Sequence, residues 1–328
     1  MTTFGGRASR TGALLQRHGA VVALLAACVV GVARYEAFLT AENISNVLRQ
    51  NSMLGLVALG MTFVILTGGI DLSVGAQLAV AGVVASMVSA HGVIASVVAG
   101  TLAATVLGLV NGVLITRARI QPFIATLAMM IAARGAALAA TAEQSINVDR
   151  GAEGLTWLGR GSVGPVPAPI VLLLVAYVAG AFVLRYTRFG RAMYAVGDSA
   201  LAARLMGLRT DRIIVGTYAL SGALAGIAGV VLAARLGAGQ PVAGSGWELD
   251  AIAAVVVGGT ALRGGEGGAW PTLVGVLLLG VIFNLFNLEG TINPWWQWVL
   301  RGAFLLAVVV LQGQIGRASC RERVLVAV

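Results

Sequence analysis

One acid, Asp71, stands near the interior of an apolar stretch, in the order Gly68-Gly69-Ile70-Asp71-Leu72-Ser73-Val74-Gly75. The glycine pair can interrupt a helix, and Asp71 or Ser73 can cap the helix that follows by accepting backbone N–H bonds. Helix breaks at membrane depth are tolerated where protein or a cavity covers them. Polar groups inside a membrane are functional candidates by default. Asn51, Asn111, Thr126, Asn284 and Asn287 therefore join Asp71 as candidate linings of a substrate path, with Arg134 a further polar residue inside a span. Asn284 and Asn287 share one helix face, where they either line a path or hydrogen-bond a neighbouring helix. Glu248 and Asp250 open another apolar stretch that closes on Gly258-Gly259. Acids are favoured in a first helical turn, so the pair reads as structural rather than ion-transporting.

Several chemistries are excluded. All 22 basic residues are arginine, so a P-loop lysine and a lysine Schiff base are both absent. Cys28 and Cys320 are too few and too far apart for a disulfide framework or a metal site, and His18 and His91 are isolated. No metal ion and no cofactor is expected. Leu25-Ala26-Ala27-Cys28 has the look of a lipoprotein signal, but small apolar residues are common here and Cys28 reads as part of a first span.

The elements that position these residues are apolar helices. Hydrophobic residues make up 58% of the 328 and charged residues only 11%, against about 25% charged in soluble domains. The mean hydropathy is +0.92. This predicts an all-α, polytopic membrane bundle. Spans of about 20 apolar residues are expected near 19–34, 47–67, 74–90, 93–116, 121–141, 168–185, 213–235, 247–262, 268–288 and 294–312. That makes about ten transmembrane helices, with broken or re-entrant segments among them; the first, third and eighth are short, and 247–262 reads as a possible re-entrant helix. Gly108-x-x-x-Gly112 and Gly222-x-x-x-Gly226 are helix-packing patterns.

Arginine bias sets the orientation. With a cytoplasmic N-terminal tail over 1–18, inside segments hold Arg7, Arg10, Arg17, Arg117, Arg119, Arg185, Arg188, Arg191, Arg204, Arg209, Arg212 and Arg263. Outside segments hold Arg34, Arg150, Arg160 and Arg235. Twelve against four favours that arrangement. The +9 net charge thus reads as inside loops beside anionic lipid, not as nucleic-acid binding. Trp295, Trp296 and Trp298 read as an interfacial aromatic belt.

The arginine-rich segment 188–208 carries a second pattern. Asp198 or Ser199 can cap a short helix that Gly207 ends, with Leu201, Leu205 and Leu208 on one apolar stripe. Such a helix fits a partner's groove or an anionic membrane surface.

At this point the chain resembles a family. The Gly68–Gly75 stretch, Gln121-Pro122-Phe123-Ile124-Ala125-Thr126-Leu127, the 188–208 loop and the run from Trp247 to Gly268 are similar to the permease subunits of ABC importers for ribose, xylose, galactose and related sugars. Branched-chain amino-acid and nucleoside permeases are their relatives. The resemblance covers nearly all of 44–311, and implies that 188–208 is the coupling loop that docks on a separate ATPase subunit. Gly190, Arg191, Gly197, Ala202, Ala203, Arg204 and Gly207 are then its contact residues, and Gly68, Gly69, Ser73, Gly258 and Gly259 its helix-break signature. Asp198-Ser199 stands where the family often has Gly-Asn, and Leu285 where it commonly has glycine. The implied partners are an ABC ATPase, a periplasmic sugar-binding protein meeting the 142–167 loop, a second permease subunit and membrane lipid; the implied location is the bacterial inner membrane. The chain itself is then a transport subunit and not an enzyme. The alternative reading is an importer of the same superfamily for nucleosides or branched-chain amino acids; less favoured is a secondary transporter, which would need several intramembrane acids or histidines. The permease domain is expected over 19–312. Residues 313–328, with Gly316-Arg317-Ala318-Ser319-Cys320-Arg321, resemble a translated sequencing-adapter read-through and are expected to be non-native.

Overall fold

The computed structural model describes residues 5–149, 151–290 and isolated positions between 296 and 306, with side chains from residue 19 onward. The expected tenth span, 294–312, most of the tryptophan cluster and the tail 313–328 lie outside the described residues. In chain order the helices begin with α1 (Gly5–Arg34), α2 (Ala41–Leu66), α3 (Val74–Met87), α4 (Val93–Arg117) and α5 (Pro122–Thr141). A small outer segment follows, with β1 (Ile146–Asn147), α6 (Glu153–Arg160), β2 (Ser162–Val163) and β3 (Val166–Pro167). The chain continues through α7 (Ala168–Tyr186), α8 (Arg188–Asp198), α9 (Ala200–Leu205), α10 (Thr210–Leu236), β4 (Ala238–Gly239), α11 (Trp247–Val257) and α12 (Ala269–Glu289). The all-α bundle is as expected; the strands are two-residue pairs, β1 with β4 and β2 with β3.

Among the described residues, α2, α4, α5, α7, α10 and α12 are long and apolar enough to cross a membrane. Two expected spans need correcting. α3 has 14 residues and α11 has 11, or about 21 and 17 Å at 1.5 Å per residue. Neither reaches across about 30 Å of hydrocarbon. The third and eighth spans are therefore half-length helices: glycines break the chain before α3 and after α11, and a turn-rich stretch, 240–246, precedes α11.

α10 is the spine. Its 27 residues extend about 40 Å, with α8 and α9 at its first turn and α6 and β4 at its last. α4 runs antiparallel to it at backbone contact. A Cβ on Gly108 would collide with the Tyr218 carbonyl, and one on Gly112 would lie 2.7 Å from Val215 Cα. On the other side, Gly222 and Gly226 face Ala104 and Thr101 in the same way, at 2.5 and 2.9 Å. The two glycine patterns in the sequence thus pack on each other, as small residues do where dispersion rather than water drives association. α2 is buried at every residue from Asn51 to Leu66, as a helix enclosed on all sides by its neighbours. α4 instead turns Ile94, Val98, Leu102 and Val106 outward, a lipid-facing stripe at helical spacing.

Candidate substrate path and coupling surface

The break after α2 is built by hydrogen bonds, not by a simple cap. Asp71 Oδ1 accepts the Ser73 N–H at 3.0 Å and the Ser73 hydroxyl at 2.6 Å. Asp71 Oδ2 accepts from Ser221 Oγ at 3.2 Å and from Gln77 Nε2 at 3.5 Å. Ser73 makes no side-chain cap bond to α3, which corrects that half of the capping expectation. Its hydroxyl accepts instead from Gln77 Nε2 at 2.6 Å and Asn111 Nδ2 at 2.8 Å. All of these side chains are fully buried. The node therefore ties α3, α4 and α10 together, and four neutral donors solvate one carboxylate where water is excluded. Gln77 Oε1 and Asn111 Oδ1 are buried with no partner among the described residues.

Thr126 stands beside this node. Its hydroxyl lies 2.9 Å from the Pro122 carbonyl and 3.2 Å from that of Ile70, which Tyr218 Oη also approaches at 3.3 Å. The glycine pair is packed tightly: Gly68 has φ +79°, and a Cβ on Gly69 would lie 2.5 Å from Tyr218 Oη.

The remaining path candidates sit elsewhere. Asn51, Asn284 and Asn287 line a cavity of about 180 Å³ with Asn46, Val47, Gln50, Gly280 and Phe283. It lies between the start of α2 and the end of α12, away from α8 and α9. Asn284 and Asn43 exchange amide hydrogen bonds at 2.7 and 3.1 Å, so Asn284 both lines the cavity and bonds a neighbouring helix. Asn51 Nδ2 donates to its own helix at Val47 O, 2.7 Å. The six expected path residues thus fall into two groups, one sealed and one open.

Gln77 and Ser221 escaped the sequence reading, and so did the partners of Arg134. Arg134 Nη1 donates to the carbonyls of Pro241 and Ala243 at 2.7 and 2.6 Å, so it seats the turns before α11. Gln77 lies four residues after Ser73, a spacing that signals a shared helix face. Ser221 carried no signal beyond being a small polar residue in a span. Glu248 sits in the first turn of α11 as expected, and a Cβ on Gly75 would lie 2.7 Å from its carboxylate. That places its carboxyl group beside the start of α3, the end of a helix that favours acids. At the far end of α11, a Cβ on Gly258 would meet the Pro271 carbonyl, and Gly259 takes φ +98°.

In the 188–208 segment, Ser199 is the cap of α9, its Oγ accepting from Ala202 N at 3.2 Å. Gly207 ends the helix with φ +84°. The expected apolar stripe is partly corrected: Leu201 and Leu205 are 72% and 81% exposed, Met206 joins them at 70%, and Leu208 turns inward against the core. Arg191, Ala202, Arg204 and Gly207 are exposed, with Arg204 bonded to Asp211 at 3.1 Å. Gly190 and Ala203 are buried. Gly190 seats α8 on α7, since a Cβ there would lie 2.5 Å from Leu184 Cα. Gly197 presses on the end of α2.

A family profile described as "Branched-chain amino acid transport system / permease component" matches residues 43–309. The chain is 40% identical over 316 residues to the ribose import permease protein RbsC of Escherichia coli (strain K12), covering 95% of this chain and 98% of that protein. It is 41% identical over 300 residues to the RbsC protein of Bacillus subtilis (strain 168), covering 91% and 93%. To the L-arabinose ABC transporter permease protein AraH of Azospirillum brasilense it is 38% identical over 299 residues, covering 90% and 87%. No solved structure matches. A profile match over most of the chain and near full-length identity to these permeases place it plainly: the chain belongs to the branched-chain amino acid transport system permease family, beside its ribose-type ABC members.

Proposed function

We propose that this chain is the membrane subunit of an ABC importer for a monosaccharide. The observation that carries the substrate class is the cavity between α2 and α12. Among the described residues it offers five side-chain amides and the ring of Phe283, and no charged side chain. Amides both donate and accept, which suits hydroxyls, and an aromatic ring offers an apolar face. A zwitterionic amino acid would need charged partners on desolvation. The relatives named for ribose and L-arabinose agree with a sugar.

The exposed tip Leu201–Leu205–Met206 is the ATPase-docking surface. Arginine bias supports a cytoplasmic side for it and for the start of α1. The opposite end, with α6 and the β2–β3 hairpin, then meets a periplasmic binding protein, and a second permease subunit closes the amide cavity away from lipid. ATP binding supplies the bias between conformations by favouring one of them.

The test is uptake in proteoliposomes holding the chain with its ATPase and binding protein. Labelled ribose or another monosaccharide should accumulate with ATP, and leucine should not. Accumulation of leucine without any sugar uptake overturns the reading. Replacing Leu201 and Leu205 with glutamate should abolish ATPase co-purification while leaving the chain in the membrane.

A further inference from the structure

The end of α8, the end of α2 and the α11–α12 connection meet at one junction made of backbone. Gly265 N–H donates to the Leu66 carbonyl at 3.0 Å. A Cβ on Gly197 would collide with that same carbonyl and lie 2.5 Å from Gly265 N. One on Gly264 would lie 2.8 Å from Gly68 N and 3.1 Å from Gly197 Cα. Gly68, Gly264 and Gly265 have φ of +79°, +89° and +77°, conformations that L side chains rarely adopt. Tyr194 closes the edge, its hydroxyl donating to Gly267 O at 2.9 Å. Burial pushes the Tyr194 phenol up from its ordinary value, which keeps that proton in place.

We propose that this glycine junction transmits the motion of α8–α9 to the substrate path, moving as one rigid body. No side chain lies between the segments to absorb a displacement, and close-packed interiors transmit strain rather than damp it. From the junction, α2 runs 15 residues from Leu66 back to Asn51 in the amide cavity, about 22 Å of continuous helix. Thr62 and Thr272, their hydroxyls 2.8 Å apart, couple α2 to the start of α12 on the way. The end of α2 and the α11–α12 connection are therefore held by the element proposed to dock the ATPase.

This inference rests on the docking role of α8–α9, and the test separates the two. In a Cys28→Ser, Cys320→Ser background, Asp198→Cys and Gly265→Cys are introduced together. A Cβ on Gly265 lies 3.4 Å from Asp198 Cβ, close to the range a disulfide needs. Oxidation should link the pair, and the linked transporter should retain the ATP-driven uptake of its reduced form. Gly197→Val should leave the ATPase subunit bound and hydrolysing ATP but lower uptake by about tenfold or more, the scale of coupling between distant sites. Failure to cross-link, a block reversed by dithiothreitol, or normal uptake by Gly197→Val overturns the rigid junction. Undiminished ATPase co-purification with the Leu201 and Leu205 glutamate variant overturns the docking role instead, and the junction's function with it.

Discussion

Ser73→Ala is the sharpest probe of the buried node. The Ser73 hydroxyl has one proton and two acceptor sites, and all three are used: by Asp71 at 2.6 Å, Gln77 at 2.6 Å and Asn111 at 2.8 Å. Its removal takes one donor from the carboxylate, a loss of about 1.5–3 kcal/mol for a bond to a charged group. It also strands Asn111 Nδ2 away from water. Interhelical hydrogen bonds in membranes average about 0.6 kcal/mol and reach about 1.7, so the two losses total about 2–5 kcal/mol. The assay is the apparent unfolding temperature in detergent for Ser73→Ala, Asn111→Leu and both together. Asn111 Oδ1 has no partner among the described residues, so replacing the amide by an apolar group removes that group as well. The double variant should therefore be more stable than Ser73→Ala alone. Additive losses from the two substitutions, or a Ser73→Ala protein that melts with the wild type, would falsify the hub.

The other predictions concern packing and the path. Gly108→Leu should abolish assembly, because even a Cβ collides with the Tyr218 carbonyl, whereas Gly135→Leu, with nothing within 4 Å, should be neutral; membrane yield and monodispersity in detergent check both. Asn284→Ala should weaken sugar-dependent uptake by about two- to tenfold, the worth of one neutral hydrogen bond, while ATPase co-purification stays intact.

Much of the bundle is legible in the sequence because apolar length and glycine spacing are local properties. The Gly108–Gly112 and Gly222–Gly226 patterns mark α4 and α10 as close-packing helices before any coordinates, but that they pack on each other is seen only in the structure. The lengths of α3 and α11 are less legible, since the apolar composition continues past the ends of both helices; left-handed glycines such as Gly259 stop the hydrogen-bond ladder without changing hydropathy. The site divides in the same way. Asp71 announces itself as an acid in an apolar stretch, but Ser221 and Arg134 become meaningful only when α10 and α5 bring them to loops 150 and 107 residues away. The separation of the polar residues into a sealed node and an open cavity depends on helix rotation, which single polar residues in wholly apolar spans do not report.

The satisfaction of the α2–α3 break bears on how the chain is made. Ile70 and Asp71 emerge from the ribosome early, yet their partners Thr126, Tyr218 and Ser221 follow much later. The turns at Pro241 and Ala243 meet the opposite order, since Arg134 is already present when they arrive. Until α10 enters, the nascent bundle must hold at membrane depth a carboxyl group met only by Ser73 and Gln77 and an Ile70 carbonyl met only by Thr126, without the Ser221 and Tyr218 hydroxyls. Biogenesis of this subunit therefore has a natural commitment step at the insertion of α10, before which release into lipid is unfavourable and after which the break is sealed.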